Sequence, residues 1–244
     1  MFLALVALVA LTLSAFAIGP TKFVSVGRCP PSRLTFRPAS FINSCHVLRR
    51  TWPSEPMLLT TLLVPTYTQM LITLSGWLQK AQAQLPEAEA QALLSARLAP
   101  DMFPLSTQIR FVCVQAREAV CRLRGEAFPA AINELLDEGR QAGERPGTLA
   151  DAYARINETV ALLDGLAADA LDPNADKPIA HELANGMIFD LTAEQYARDW
   201  TLAQFYFHVM TAYSILRKEG IELGKADYVA HMLPYLRPES VPKG

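Results

Sequence analysis

The sequence predicts an all-α protein, an up-and-down four-helix bundle with a small β-hairpin before the last long helix. Three observations predict it. Four segments of about 20 residues carry apolar side chains at alternating three- and four-residue intervals, the stripe of an amphipathic helix. Prolines and glycines stand between those segments, where helices start and stop. One Asn185-Gly186 pair separates two short apolar runs, which is the turn signal of a two-residue hairpin.

The first stripe, over residues 66–84, consists of Tyr67, Met70, Leu71, Leu74, Trp77, Leu78 and Ala81, and Pro65 suits its first turn. Pro86 opens a short helical stretch over 87–96. Pro100 and Pro104 then forbid a continuous helix, so 98–104 is predicted as an ordered turn. Leu105, Ile109, Val112, Ala116, Ala119 and Leu123 form a second, very regular stripe that ends at Gly125. Residues 126–147 read as a connecting segment with a short helix near 132–136. Thr148 caps a third helix with the stripe Leu149, Tyr153, Ile156, Val160, Leu163 and Ala167. Two strands, 179–183 and 187–190, flank the Asn185-Gly186 turn. Thr192 and Gln195 form a capping box for the last long helix, which runs to about Glu219 before Gly220. Two glycines and two prolines make the tail after it mostly irregular.

A chain of 244 residues with 51% hydrophobic and 19% charged content is neither disordered, collagen-like nor a small disulfide scaffold. Its net charge of −2 is unevenly spread. Residues 1–56 hold Lys22, Arg28, Arg33, Arg37, Arg49 and Arg50 against Glu55 alone, a net +5 that leaves −7 for residues 57–244. The acidic body argues against a nucleic-acid partner. Residues 2–18 carry no charge, which fits a signal segment, with Ala15 and Ala17 as a cleavage pattern, or a membrane anchor. A third reading treats 1–56 as an extension upstream of a start at Met57. The leader therefore divides from a bundle domain at 57–244. The body is cytoplasmic if translation starts at Met57, and membrane-anchored or exported if the leader is real; membrane contact is expected only through 2–18. Residues 57–79 and 200–216 also lack charge, but their hydroxyl and amide content argues against further spans.

Cys29 and Cys45 lie in the leader, and Cys113 and Cys121 lie eight residues apart on one helix, about 12 Å and too far for a disulfide. No spacing suits a structural zinc site. Asn157 matches a glycosylation acceptor, a weak signal inside a helix.

On the last long helix Thr201, Gln204, His208 and Thr211 recur at three, four and three residues. They are either its wet face or a seam lining a polar pocket, where His208 serves as base, hydrogen-bond partner or metal ligand. Position 212 is Ala, so there is no paired histidine one turn on. His181 and His231 either fold back toward His208, which nothing in the spacing requires, or are solvated, the commoner case. Arg110, Arg117 and Arg124 repeat every seven residues, either as a stripe for an anionic ligand or, more commonly for such a run, as a solvated face, with Glu118 pairing Arg122 at i+4.

Residues 96–105 (ARLAPDMFPL) and 205–217 (FYFHVMTAYSILR) resemble two hallmark segments of the DUF1993 family. Residues 64–70 (VPTYTQM) resemble its opening helix and 224–227 (GKAD) its closing turn. The resemblance runs from about Met57 to Tyr228 and supports Met57 as the start. It implies membership of the DinB/YfiT-like helical bundles, an uncharacterised protein and a four-helix bundle. Many such relatives hold a divalent metal with three histidines, and some are thiol-dependent transferases or hydrolases. Only His208 matches a ligand position here; Gln108 and Arg110 stand where another histidine is expected, and Ala212 replaces its pair. No metal and no cofactor are therefore expected.

Two functions follow. The first is a small-ligand-binding or self-associating domain, expected as a homodimer through helix faces, with Thr201, Gln204, His208, Thr211 and Gln108 as ligand-binding candidates. The second is a hydrolase or thiol-dependent transferase, with or without a metal, in which His208 and Asp101 form an acid/base pair; it requires Asp101 or Gln108 within about 4–6 Å of His208 in an open pocket.

Overall fold

The computed structural model describes residues 58–183 and 185–237. The leader expectations, signal, anchor or extension, lie outside the described residues.

Helix α1 spans Leu59–Gln84, α2 Glu87–Ala92, α3 Leu105–Arg124, α4 Ala130–Gln141 and α5 Leu149–Asp164. Strands β1 (Pro178–Glu182) and β2 (Ile188–Thr192) form a two-stranded hairpin. The short helix α6 (Ala193–Gln195), a π-helical turn (Tyr196–Thr201) and α7 (Leu202–Lys218) then run on without a break, followed by α8 (Lys225–Tyr228). The long helices α1, α3, α5 and α7 make the predicted bundle. α3 packs against α4, α5 and α7, and α1 packs against α5 and α7. These elements belong to one compact unit, Met57–His181 with Phe189–Gly244. In the hairpin tip, taken by itself, Gly186 adopts φ +83° and its N–H donates to the Leu183 carbonyl at 2.9 Å.

The stripes bury their apolar side chains in one core, except that α5 ends at Asp164, which leaves Ala167 of the third stripe outside the helix and exposed. Tyr67, Trp77, Tyr196 and Phe205 are the largest fully buried members. Trp77 is wedged between Tyr213 (5.2 Å) and Tyr228 (6.3 Å), and its indole N–H donates to the Asp227 carbonyl at 3.3 Å. Burying one such side chain stabilises by about 1.5–3 kcal/mol. The Thr192–Gln195 capping box forms, and the Thr148 cap proves to be a full box with Asp151. Gly125, at φ +67°, ends α3, and the Asn174 side-chain amide donates to the Arg124 carbonyl at 2.7 Å.

Four elements depart from the sequence reading. α1 starts at Leu59, so Pro65 lies in its second turn rather than its first. The missing Pro65 N–H is tolerated because Leu59 and Leu63 are fully buried and Asp172 receives the helix N-terminus, from the Thr60 hydroxyl at 2.7 Å and the Thr60 N–H at 3.3 Å. The stretch 126–147 carries a 12-residue helix, α4, not a short one. Ile132, Leu135 and Gly139 bury its inner face on α3, and the Thr107 hydroxyl donates to the Gly139 carbonyl at 2.8 Å. The tail is helical over Lys225–Tyr228 and Ala230–Tyr235. The π-helical turn has no counterpart in the periodicity reading. Among the described residues no helix is long and apolar enough to cross a membrane.

Candidate functional site

The seam on α7 faces the bundle rather than water. Thr201 is fully buried and His208 is 9% exposed. Thr201 takes the Tyr67 hydroxyl at 2.9 Å and lies 3.5 Å from the Gln115 carbonyl, so its hydroxyl is spent on holding α1, α3 and α7 together. Thr211 donates back to the Phe207 carbonyl of its own helix at 2.7 Å. Gln204 is half-buried, one turn before His208.

His208 Nδ1 lies 2.8 Å from Gln108 Oε1 on α3. The Gln108 amide nitrogen donates to the Phe103 carbonyl at 3.2 Å, which turns Oε1 toward the imidazole. Nδ1 is therefore the protonated nitrogen, and Nε2 carries the lone pair. Among the described residues Nε2 makes no hydrogen bond, and the residue as a whole is 9% exposed. Phe111 (5.2 Å) and Phe207 (5.3 Å) meet the imidazole edge-on, and Phe103 packs against Phe111 at 5.6 Å. Burial in this aromatic surround pushes the His208 pKa down to about 4. The ring is neutral at pH 7, able to accept through Nε2.

The turn predicted before α3 holds Gln108's partner in place. The Arg97 guanidinium donates to the Met102 carbonyl at 2.6 Å, and the Leu105 N–H donates to the Ala96 carbonyl at 2.9 Å. Asp101 is exposed in that turn and takes no part in the buried pair. Of the two candidate partners for His208, the structure brings Gln108 to it.

The arginine row on α3 is not a solvated face. Arg110 is 4% and Arg117 7% exposed, because α4 and α5 cover them. The Arg117 Nε donates to the Thr159 hydroxyl at 2.8 Å, and its Nη2 lies 3.4 Å from Glu158. The Arg110 Nη1 donates to the Ser106 carbonyl at 3.1 Å, and its Nε lies 3.5 Å from Glu138. Arg155 bridges Glu138 and Glu158. With Asp151 close by, three cations face three carboxylates, which leaves no charge for an anion. Arg124 alone keeps the exposed position expected of the row, paired with Glu126 at 2.8 Å. Thr159 is fully buried in this network, so the Asn157 acceptor lacks an accessible threonine. Glu118 forms no close ion pair with Arg122 among the described residues; Arg122 lies over the Phe128 ring at 4.8 Å instead.

His181 also differs from expectation. It is 4% exposed, packed between Trp200 (4.3 Å) and Tyr196 (5.5 Å) of the π-helical turn, and its pKa falls to about 4, first through burial and then through Arg122. No pattern in sequence marks it, since strand burial depends on what the hairpin lies against. His231 is half-buried in the tail. Cys113 is fully buried and its thiol is pushed up to about 11, which makes it a poor nucleophile.

Position 212, one turn after His208, is Ala, and among the described residues no group of three His, Cys, Asp or Glu side chains is placed to hold a metal ion.

The family described as Domain of unknown function (DUF1993) matches residues 59–229. No curated protein matches the chain. A crystal structure of a DinB family member protein from Shewanella denitrificans is similar at 30% identity with a TM-score of 0.58, over 75% of this chain and 96% of that one. The motif order, the bundle with its hairpin and these matches agree: the chain belongs to the DUF1993 family, among the DinB-like helical bundles.

Proposed function

We propose that this protein is a small-ligand-binding helical bundle in which neutral His208 presents Nε2 as a hydrogen-bond acceptor between α3 and α7. The observation that carries this reading is the chain from the Phe103 carbonyl through Gln108 to His208 Nδ1, which fixes the tautomer and leaves Nε2 free. Gln204, half-buried one turn earlier, adds an amide, and Phe207 and Phe111 add apolar surface. The ligand is a small molecule with an N–H or O–H donor beside an apolar body. In the alternative, a hydrolase or thiol-dependent transferase using His208 with Asp101, Gln108 does lie 2.8 Å from His208, but Asp101 is exposed in its turn, so the acid/base pair itself is not supported. The test is a fragment screen by NMR, followed by long-range ¹H–¹⁵N spectra of the histidines. Hits are expected to move the His208 Nε2 resonance and to be lost in His208→Gln; hits that bind His208→Gln undiminished would overturn the reading.

Self-association accompanies this reading. Phe207 (57% exposed) and Met210 (39%) stand on the outer face of α7, an apolar pair suited to the same face of a second copy. Light scattering is expected to give a dimer for the native chain and a monomer for Phe207→Glu. A native chain that stays monomeric at high concentration removes this part of the reading.

A further inference from the structure

Arg122 is a guanidinium with no acceptor. Among the described residues it makes no hydrogen bond and no ion pair; it lies over the Phe128 ring at 4.8 Å, and its Nε is buried without a partner. Half-buried arginines ordinarily find a carboxylate or a carbonyl, because an unpaired N–H taken from water is costly. The nearby acids do not supply one. Glu126 is held by Arg124 at 2.8 Å, and Glu118 stays beyond ion-pair distance. The carbonyls at the end of α3 are taken as well: Cys121 by the Glu126 N–H (2.8 Å), Arg122 by the Gly125 N–H (3.1 Å) and Arg124 by Asn174 (2.7 Å).

Arg122 lines an open cavity of about 360 Å³ with Gly125, Phe128, Pro178 and Ile179, and with Glu126, whose carboxylate is paired with Arg124 at 2.8 Å. On the same strand, β1, His181 is buried with neither ring nitrogen bonded. Two buried groups without partners therefore lie in one region, where α3 ends and β1 begins. The site is separate from His208: Arg122 follows Gln108 by fourteen residues on α3, about 21 Å along the helix.

We propose that this cavity is a second ligand site, for a small monocarboxylate with an apolar body, in which the Arg122 guanidinium takes the carboxylate and Phe128, Pro178 and Ile179 take the apolar part. A guanidinium edge matches a planar carboxylate in two parallel hydrogen bonds. The C-terminal end of α3 carries partial negative charge, which opposes any anion here and opposes phosphate more than a singly charged carboxylate.

The test uses the full chain and follows the Arg122 Nε–Hε resonance by NMR during addition of sodium butyrate or sodium phosphate. Butyrate is expected to move it saturably, without moving His208 Nε2. Arg122→Gln should weaken butyrate binding about tenfold or more. Arg140→Gln, at an exposed arginine paired with Asp137, should leave it unchanged. An Arg122 resonance that butyrate does not move overturns the site. A resonance that phosphate moves equally overturns the carboxylate assignment. Should Arg122→Gln fail to fold, the native resonance decides alone.

Discussion

His208 Nδ1 and Gln108 Oε1 lie 2.8 Å apart, a buried hydrogen bond between residues 100 positions apart in the chain. Its direction is set from behind by the Phe103 carbonyl, so a neutral amide does what a carboxylate does for many functional histidines, orienting the ring without charging it. The distinction is testable. Gln108→Glu places a carboxylate at the same distance and should raise the His208 pKa from about 4 by at least 1 unit. Gln108→Leu leaves a buried N–H unpaired and should cost about 1–3 kcal/mol. Titration of the His208 ring protons by NMR checks the first, and an unmoved pKa would sink it.

The low pKa values of His208 and His181 make stability fall with acid. Both are near 4 in the folded chain, against 6.5 in the unfolded one. Between those values the unfolded chain binds more protons, so stability is lost as pH falls from 6.5 toward 4, by up to about 1.4 kcal/mol per pH unit for each histidine. Carboxylates held below their usual range, Asp151, Asp227 and Glu158, add their losses lower on the scale. Urea unfolding at several pH values checks the slope. His208→Gln should flatten it; an identical slope in that variant would remove His208 from the account.

Arg117 should behave as a buried cation whose partners depend on it. Arg117→Ala opens a space beside Thr159 and leaves that hydroxyl without its 2.8 Å donor, at a cost of about 2–4 kcal/mol. Arg117→Met keeps the volume and removes the desolvation penalty together with the ion pair to half-exposed Glu158, so it should cost less than about 1.5 kcal/mol. Denaturant midpoints for the two variants give the comparison. Equal losses would mean that the charge, not the packing, is what α5 requires.

The arginines show where reading the sequence stopped. Helix existence was legible, because burial on one face leaves a period; the Thr192–Gln195 capping box was legible because it is complete within four residues, while at Thr148 the cap was legible but the part of Asp151 was not. The start of α1 was not, since its N-terminus is met by Asp172, more than a hundred residues away. Arg110 and Arg117 looked solvated because α4, which helps to cover them, lies in a stretch of proline, glycine and charge that reads as a connection. His208 and the seam were visible as a period. Gln108 was legible as a candidate partner of His208 through the family resemblance, but the direction of its amide was not, because the Phe103 carbonyl sets it; the Arg122 cavity was hidden because it depends on how β1 lies against the end of α3.

The placement of α4 gives the sharpest test of packing around His208. Glycine inside a helix normally costs about 1 kcal/mol relative to alanine, so Gly→Ala in a helix interior is expected to stabilise. Gly76 of α1 obeys that expectation: a Cβ there meets nothing within 4 Å, and Gly76→Ala should add about 0.5–1 kcal/mol. Gly139 of α4 should do the opposite. Its Cβ would fall 2.5 Å from Phe111 Cε1 and 2.8 Å from Cδ1, while the Thr107 bond to the Gly139 carbonyl holds the helix close. Either α4 lifts or the Phe111 ring moves, and Phe111 is the ring that meets His208 at 5.2 Å. Gly139→Ala should therefore lose about 1–3 kcal/mol and shift the His208 resonances, whereas Gly76→Ala should leave them in place. Thermal unfolding and histidine NMR of the two variants decide it; a Gly139→Ala chain as stable as the native one would show that α4 does not press on Phe111.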